Sequence, residues 1–84
     1  MQIVLEKQPR KYLAYVDVPT KVKLLKAIEG LKTLTGDIVK LQGTKNLYRL
    51  KIHHYRIIFS YSGGEIIIVE AIDTRTNIKY RRFK

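Results

Sequence analysis

The chain has 84 residues, and its 17 lysines and arginines outnumber its 7 aspartates and glutamates, for a formal net charge of +10. Apolar residues make up 45% of the chain, which is typical of a globular protein rather than a disordered one. It contains no cysteine, which excludes disulfides and thiolate metal sites. We therefore expect a single domain over residues 1–84 with one modest core.

The charge also restricts the partners that the chain can have. A strongly basic small domain favours a polyanionic partner, with nucleic acid as the first candidate and an acidic protein as the second. No apolar run approaches the roughly 20 residues of a membrane span, and the N-terminus lacks a signal-peptide pattern. The sequence therefore predicts a cytoplasmic protein without a membrane partner.

The first half of the chain is predicted to form a strand and two helices. Residues 2–7, QIVLEK, read as a strand, and Pro9 suits the first turn of a short helix that ends near Asp17. Thr20 is the predicted N-cap of a second helix, which ends at the Thr35–Gly36 pair. One apolar stripe is predicted along this helix, consisting of Val22, Leu24, Leu25, Ile28, Leu31 and Leu34.

The second half reads as an irregular segment followed by three strands. Residues 37–46 are predicted to be irregular, and strands are predicted at about 46–52, 55–61 and 65–73. The tail, NIKYRRFK, reads as a last strand or a loose end. The order β-α-α-β-β-β predicts an α+β fold, in which an N-terminal helical hairpin packs on one face of a small antiparallel sheet.

The last long strand is predicted to be an interior strand, because residues 66–69, IIIV, are apolar on both faces. Its register depends on the preceding glycine turn. A two-residue turn at Gly63–Gly64 puts Glu70 on the same face as Ile57, whereas a three-residue loop pairs Glu70 with Arg56. The sequence leaves both registers open.

The hairpin LYRLKIHHYRIIFSY, residues 47–61, has one apolar and one basic face. A turn centred on His53–His54 places Lys51 directly opposite Arg56, and Arg49 lies two residues away on the same face. Like charges in this position destabilise a sheet by roughly 0.2–1 kcal/mol. The cluster therefore indicates an anionic ligand rather than a merely solvated surface. The same register gives two further pairs, Leu50–Ile57 and Ile52–Tyr55.

Converging lysine and arginine side chains suit a phosphodiester ligand. A lysine among other cations releases its proton more readily and can act as a general base, while arginine stabilises charge that develops on phosphate. Cleavage of RNA by its own 2′-OH needs these groups and neither a metal nor another cofactor. His53 and His54 lie at the predicted turn tip and are interpreted as exposed turn residues rather than catalysts. Tyr80 either stacks on a base or pins the tail to the domain.

The segment KLQGTKNLYRLKIHHYRIIFSYSGGEIIIVEAIDTR, residues 40–75, resembles the RelE/ParE superfamily of toxins from type II toxin–antitoxin pairs. The shared pattern is KL.G...LYR.K...YRI, then a turn, a hydrophobic strand and an arginine. The length and the preceding helical hairpin also match. For a RelE-like member, the resemblance implies a messenger-RNA endonuclease that acts with the ribosome. Cleavage then leaves a cyclic phosphate and a 5′-OH, and an acidic antitoxin neutralises the activity.

The resemblance also implies a role for individual residues. Lys51 is the implied base, Arg49 and Arg56 bind and stabilise the phosphate, and Arg75 serves the leaving group. Tyr80 is the implied tyrosine that stacks on or orients the ribose. Further RNA contacts are assigned to Lys45, Lys79, Arg81 and Arg82.

Two departures from the family pattern keep alternatives open. Arg49 stands where a lysine is common, and DTRTNIKY differs from the common ending GHRR..VY, on which the assignment of Tyr80 depends. A ParE-like inhibitor of DNA gyrase without nuclease activity is the first alternative. The second is an RNA-binding module that is not an enzyme. The retained Arg49, Lys51, Arg56 and Arg75 favour the nuclease.

Overall fold

The computed structural model describes residues 1–80, so Arg81 and Arg82 lie outside the described residues and their RNA contacts stay predictions. The described part forms five strands and two α-helices. In chain order these are β1 (Gln2–Leu5), α1 (Lys7–Tyr15), α2 (Val18–Gly30), β2 (Asp37–Lys40), β3 (Leu47–Ile52), β4 (Tyr55–Ser60) and β5 (Ile66–Thr74), with a 3₁₀ turn (Leu31–Thr33) after α2.

The strands form one sheet in the order β1-β5-β4-β3-β2, which confirms the α+β fold and the interior position of β5. The sheet is mixed rather than wholly antiparallel as predicted, because β1 pairs with β5 in parallel while the other pairs are antiparallel. The segment predicted to be irregular contributes β2, whose residues pair with β3 from Asp37–Lys51 to Lys40–Tyr48. The four residues of β2 form a strand because they pair with the edge of β3, which would otherwise be open, and not because of their own preference for strand.

The main core lies between the two helices and one face of the sheet. The α2 residues Leu24 and Ile28, together with Leu31 just after the helix, are buried at spacings of four and three. The predicted stripe is therefore narrower than expected, since Val22, Leu25 and Leu34 are exposed. On the sheet side, the core consists of Leu50, Ile57, Phe59, Ile67, Val69 and Ile72.

No helix in the described part is long and apolar enough to cross a membrane.

The boundaries of α2 differ from the prediction at both ends. Asp17, not Thr20, is the N-cap, and its carboxylate accepts the Thr20 N–H at 3.0 Å. The helix ends at Gly30, before the predicted Thr35–Gly36 pair. Gly36 instead leads into β2 with a φ of 125°, and a Cβ at this position would lie 2.7 Å from Leu50 Cδ1. The glycine thus serves a close approach to the sheet rather than the helix end.

A glutamine side chain completes the edge of β5 beyond the end of β1. The last pair of the parallel ladder is Leu5–Val69, after which the chain enters α1. Gln8 Nε2 donates to the Ile72 carbonyl oxygen at 2.8 Å, and Gln8 Oε1 accepts the Ile72 N–H at 2.9 Å. The side-chain amide therefore satisfies both backbone groups that the missing strand residue would have paired.

A β-bulge decides the register between β4 and β5. Ile58 pairs with Ala71 and Phe59 pairs with Val69, so Glu70 is the additional residue on β5. Ser60 Oγ donates to Glu70 Oε2 at 3.0 Å, which places Glu70 on the side of the sheet away from the helices. Asp73, not Glu70, stands opposite Arg56. Neither predicted register allowed for the bulge.

Candidate functional site

The outer face of the sheet is the side that carries Arg49, Lys51 and Arg56. The strands β3 and β4 on this face pair in the predicted register. Lys51 pairs directly with Arg56, while Arg49 pairs with Ile58. Directly opposed residues in an antiparallel pair have Cβ atoms about 4.5–5.5 Å apart. Two cations are therefore neighbours on this face, and a third follows two residues along β3. The predicted pairs Leu50–Ile57 and Ile52–Tyr55 are also confirmed.

Carboxylates flank this cationic pair on both sides, which the sequence did not indicate. On β2, Asp37 pairs with Lys51, and on β5, Asp73 pairs with Arg56. A row across four strands therefore reads Asp37, Lys51, Arg56, Asp73, with two cations between two anions. Each cation has a carboxylate as its other cross-strand neighbour, and this reduces the cost of placing the cations side by side.

The carboxylates do not neutralise the cations by direct contact. Among residues 1–80, neither Asp37 nor Asp73 forms an ion pair, and the ion pair that does form joins Lys32 Nζ to Glu29 Oε1 at 3.0 Å. Asp73 Oδ1 instead accepts the neighbouring Thr74 N–H at 2.8 Å. The charged ends of Lys51 and Arg56 therefore remain available to an anion from solvent.

The backbone of the β3–β4 turn holds the Arg56 guanidinium. Arg56 Nη1 donates to the carbonyl oxygens of His53 and Tyr55, both at 3.0 Å, and the residue is half-buried. A guanidinium carries five N–H donors, so most of them stay free for a ligand. Arg56 is thus oriented by carbonyl groups without being neutralised by a carboxylate.

The other implied arginine, Arg75, lies at the same end of the sheet. Its backbone N–H donates to the His54 carbonyl oxygen at 2.8 Å, which extends the β4–β5 pairing as far as the turn tip. The Arg75 side chain is exposed. Lys51, Arg56 and Arg75 therefore lie around one turn, and their common catalytic role stays a prediction.

The predicted RNA contacts are more widely spread. Lys45 is exposed in the β2–β3 loop, at the opposite end of β3 from Lys51. Six residues of extended chain span up to about 20 Å, so Lys45 lies well away from Lys51 along β3. Lys79 is also exposed and, with Ala71 and Asp73, lines a cavity of about 130 Å³ beside β5.

Tyr80 follows a turn at the end of β5. In this turn, the N–H groups of Asn77 and Ile78 donate to the Thr74 carbonyl oxygen at 3.1 and 2.9 Å. Tyr80 itself is half-buried. Its assigned contact with a ribose stays a prediction.

A column of aromatic rings connects the turn to α1. The ring centroids of His54 and Tyr55 lie 4.2 Å apart, and Tyr55 contacts Tyr12 edge-on at 6.5 Å. Burial raises the pKa of the Tyr12 hydroxyl, and the negative charge of Asp73 raises it further. The predicted exposure of His53 and His54 is confirmed, but the ring of His54 packs against its neighbour.

Comparison with known proteins places this architecture in one structural class. Neither a protein-family model nor a curated protein sequence matches the chain. A chain of the RelB–RelE antitoxin–toxin complex from Methanococcus jannaschii superposes with a TM-score of 0.74 at 27% identity, over 96% of this chain and 99% of that chain. A chain of the archaeal RelE–RelB complex from Pyrococcus horikoshii OT3 has a TM-score of 0.71 at 22% identity, over 92% and 97%.

These similarities define the fold as the RelE-like α+β fold. The match extends over nearly the whole length of both chains. The predicted resemblance of this chain to the RelE toxins is thereby confirmed.

Proposed function

We propose that the chain is the toxin of a type II toxin–antitoxin pair and that it is an endoribonuclease acting on messenger RNA. The observation that carries the nuclease assignment is the Lys51–Arg56 pair on the outer face, with Arg56 held by backbone carbonyls and Arg75 at the same turn. The RelE-like fold and its neighbours from RelB–RelE complexes support the toxin assignment.

In this proposal, Lys51 takes the proton from the RNA 2′-OH as general base. The 2′-oxygen attacks the adjacent phosphorus, and negative charge grows on the nonbridging oxygens, which Arg56 and Arg49 stabilise. The bond from phosphorus to the 5′-oxygen breaks as that oxygen takes a proton from solvent water, while Arg75 donates a hydrogen bond to it. The products are a 2′,3′-cyclic phosphate and a 5′-OH.

The flanking carboxylates restrict how RNA can approach. Asp37 and Asp73 repel phosphate from the two ends of the charged row, whereas Arg49 and Arg75 extend the positive charge away from it. A single phosphate is therefore best placed over the centre of the row, between Lys51 and Arg56. The remaining assigned RNA contacts belong to the approaching strand, and consist of Lys45, Lys79, Tyr80, Arg81 and Arg82.

The proposed partners are messenger RNA on the ribosome and an acidic antitoxin protein. A net charge of +10 attracts both kinds of partner, since each is anionic. The two similar structures are complexes of RelE with RelB, and this supports an antitoxin partner for the present chain.

The proposal is tested by replacing Lys51, Arg56 and Arg75 singly by alanine. Loss of general acid–base catalysis is worth about 10²–10⁴-fold in rate, so Lys51→Ala should remove growth arrest on induction and the new transcript 5′ ends. Lys26→Ala, which removes the same charge from the exposed side of α2, is the matched control and should cleave like the parent. Circular dichroism checks that each variant folds.

Undiminished transcript cleavage in all three site variants contradicts the nuclease assignment. Inhibition of DNA supercoiling without RNA cleavage would instead select a gyrase inhibitor. RNA binding that weakens steeply with salt, without toxicity or cleavage, would select a module that only binds RNA.

A further inference from the structure

The turn between β3 and β4 contains a backbone conformation that most residues avoid. His53 has a φ of 53°, and in the described part the only other non-glycine residue with positive φ is Leu34, at 51°. The left-handed region is disfavoured for residues with a Cβ, and histidine is among the few that enter it more often. The turn is therefore held in this geometry by its surroundings.

This geometry directs two consecutive carbonyl groups at the two arginines of the site. The His53 carbonyl oxygen accepts from Arg56 Nη1 at 3.0 Å, and the Tyr55 carbonyl oxygen accepts from the same nitrogen at the same distance. The next carbonyl, that of His54, accepts the backbone N–H of Arg75 at 2.8 Å. A change in the backbone angles of the turn would redirect both carbonyls together, because they belong to adjacent peptide units.

Packing of the His54 ring fixes the turn from the side. The imidazole lies 4.2 Å from the Tyr55 ring, and Tyr55 contacts Tyr12 of α1. Both histidines are exposed, but among residues 1–80 a contact with an aromatic ring is found for His54 and not for His53. The two histidines therefore differ, since His54 contributes its ring as well as its carbonyl, whereas His53 contributes its backbone.

We propose that His53 and His54 are positioning residues for RNA cleavage, in which the left-handed backbone of His53 orients Arg56 and the packed ring of His54 holds the carbonyl that orders Arg75. This inference rests on the proposed function. A guanidinium anchored through one nitrogen loses less conformational freedom when phosphate binds, and its free N–H groups already face a fixed direction. The imidazoles take no part in proton transfer.

The test separates the backbone of His53 from its side chain. Asparagine also tolerates the left-handed region, so His53→Asn should retain cleavage. Valine does not, so His53→Val should lower kcat by about 10–100-fold, since small misplacements of a catalytic group have effects of this size, while KM for RNA changes less. Leu34→Val places the same strain at a matching φ away from the site, and the folded protein should cleave normally.

The ring of His54 is tested in the same way. His54→Phe keeps a flat ring on Tyr55 and should retain cleavage, whereas His54→Ala should lower kcat. Loss of cleavage in both His53→Asn and His54→Phe would overturn the proposal, because it would show that an imidazole reacts. Normal kcat in a folded His53→Val variant would overturn it equally.

A second measurement does not depend on RNA cleavage. In ¹⁵N-labelled protein, the side-chain N–H groups of Arg56 should be protected from hydrogen exchange with solvent in the parent and in His53→Asn. In His53→Val, the same groups should exchange rapidly. If the parent protein cleaves no RNA, the proposed function fails while this measurement still decides whether the turn orders Arg56. Equal exchange in all variants would show that the turn does not position it.

Discussion

The two faces of the β3–β4 hairpin differ in what they contribute to the protein. Leu50, Ile57 and Phe59 face the helices and are almost completely buried. Lys51 and Arg56, each adjacent in sequence to one of these residues, face the other way and remain partly or fully accessible. Strand alternation thus allows two six-residue strands to supply core packing on one side and a charged site on the other.

The outer face is itself divided. Near the histidine turn it carries the charged row, whereas Ile58, two residue pairs further from the turn, is completely buried opposite Ala71. Neither residue belongs to the main core cluster. The Lys51–Arg56 row therefore lies at the turn end of the outer face beside a buried apolar pair, whereas Arg49 and Glu70 lie further from the turn.

The largest effect on stability is expected on the helix-facing side. Ile57→Ala removes a fully buried side chain between Leu50 and Ile72, and such changes cost about 2–5 kcal/mol. Lys51→Ala, on the exposed face, should change the free energy of unfolding by no more than about 0.5 kcal/mol. Urea denaturation of both variants measures the contrast, and similar values for the two would refute the division between the faces.

A smaller effect of opposite sign is expected within the charged row. Lys51→Thr relieves the like-charge pair and favours the strand, so the free energy of unfolding should rise by roughly 0.2–1 kcal/mol while cleavage is lost. Asp37→Asn should lower stability in the parent but not in the Lys51→Thr background, because its partner is then absent. A destabilised Lys51→Thr variant would argue against repulsion at this site.

The smallest expected effect on stability comes from the N-cap of α2 and depends on pH. Hydrogen bonds from Thr20 hold the pKa of the Asp17 carboxyl below its usual value of 3.8. The stabilisation is therefore complete above that usual value and is lost as the pH falls through the lowered folded-state pKa. Asp17→Asn keeps a capping side chain but has no carboxyl to titrate, so its melting temperature should fall less from pH 5 to pH 2 than that of the parent. An equal fall in both proteins would show that other carboxyls cause the loss of stability in acid.

The sequence predicts the hairpin well because its register depends on local information. A two-residue turn and strict alternation are enough to place Lys51 opposite Arg56. The partners on the outer strands depend on distant residues instead. Asp37 reaches the row through a strand too short to predict alone, and Asp73 reaches it through a bulge that no turn length indicates.

The ends of helices and the backbone of turns are also hard to predict from the sequence, although they depend on nearby residues. Asp17 and Thr20 are both acceptable caps by residue type, and only the position of Pro19 in the first turn of α2 separates them. His53 draws attention in the sequence as a titratable side chain, whereas in the structure its carbonyl makes the contact with Arg56. A residue pattern describes side chains and does not show where a backbone carbonyl points.

The position of β5 has a consequence for the order in which the chain folds. Among the strands of residues 1–80, β5 is the last to be synthesised, yet it lies between β1 and β4, and Gln8 bonds to Ile72 across 64 residues of sequence. The sheet cannot close, and the His54–Arg75 contact cannot form, before residues 66–75 have left the ribosome. Folding that depends on such distant contacts is intrinsically slow. A nascent chain therefore lacks the assembled site until β5 and Arg75 have been released.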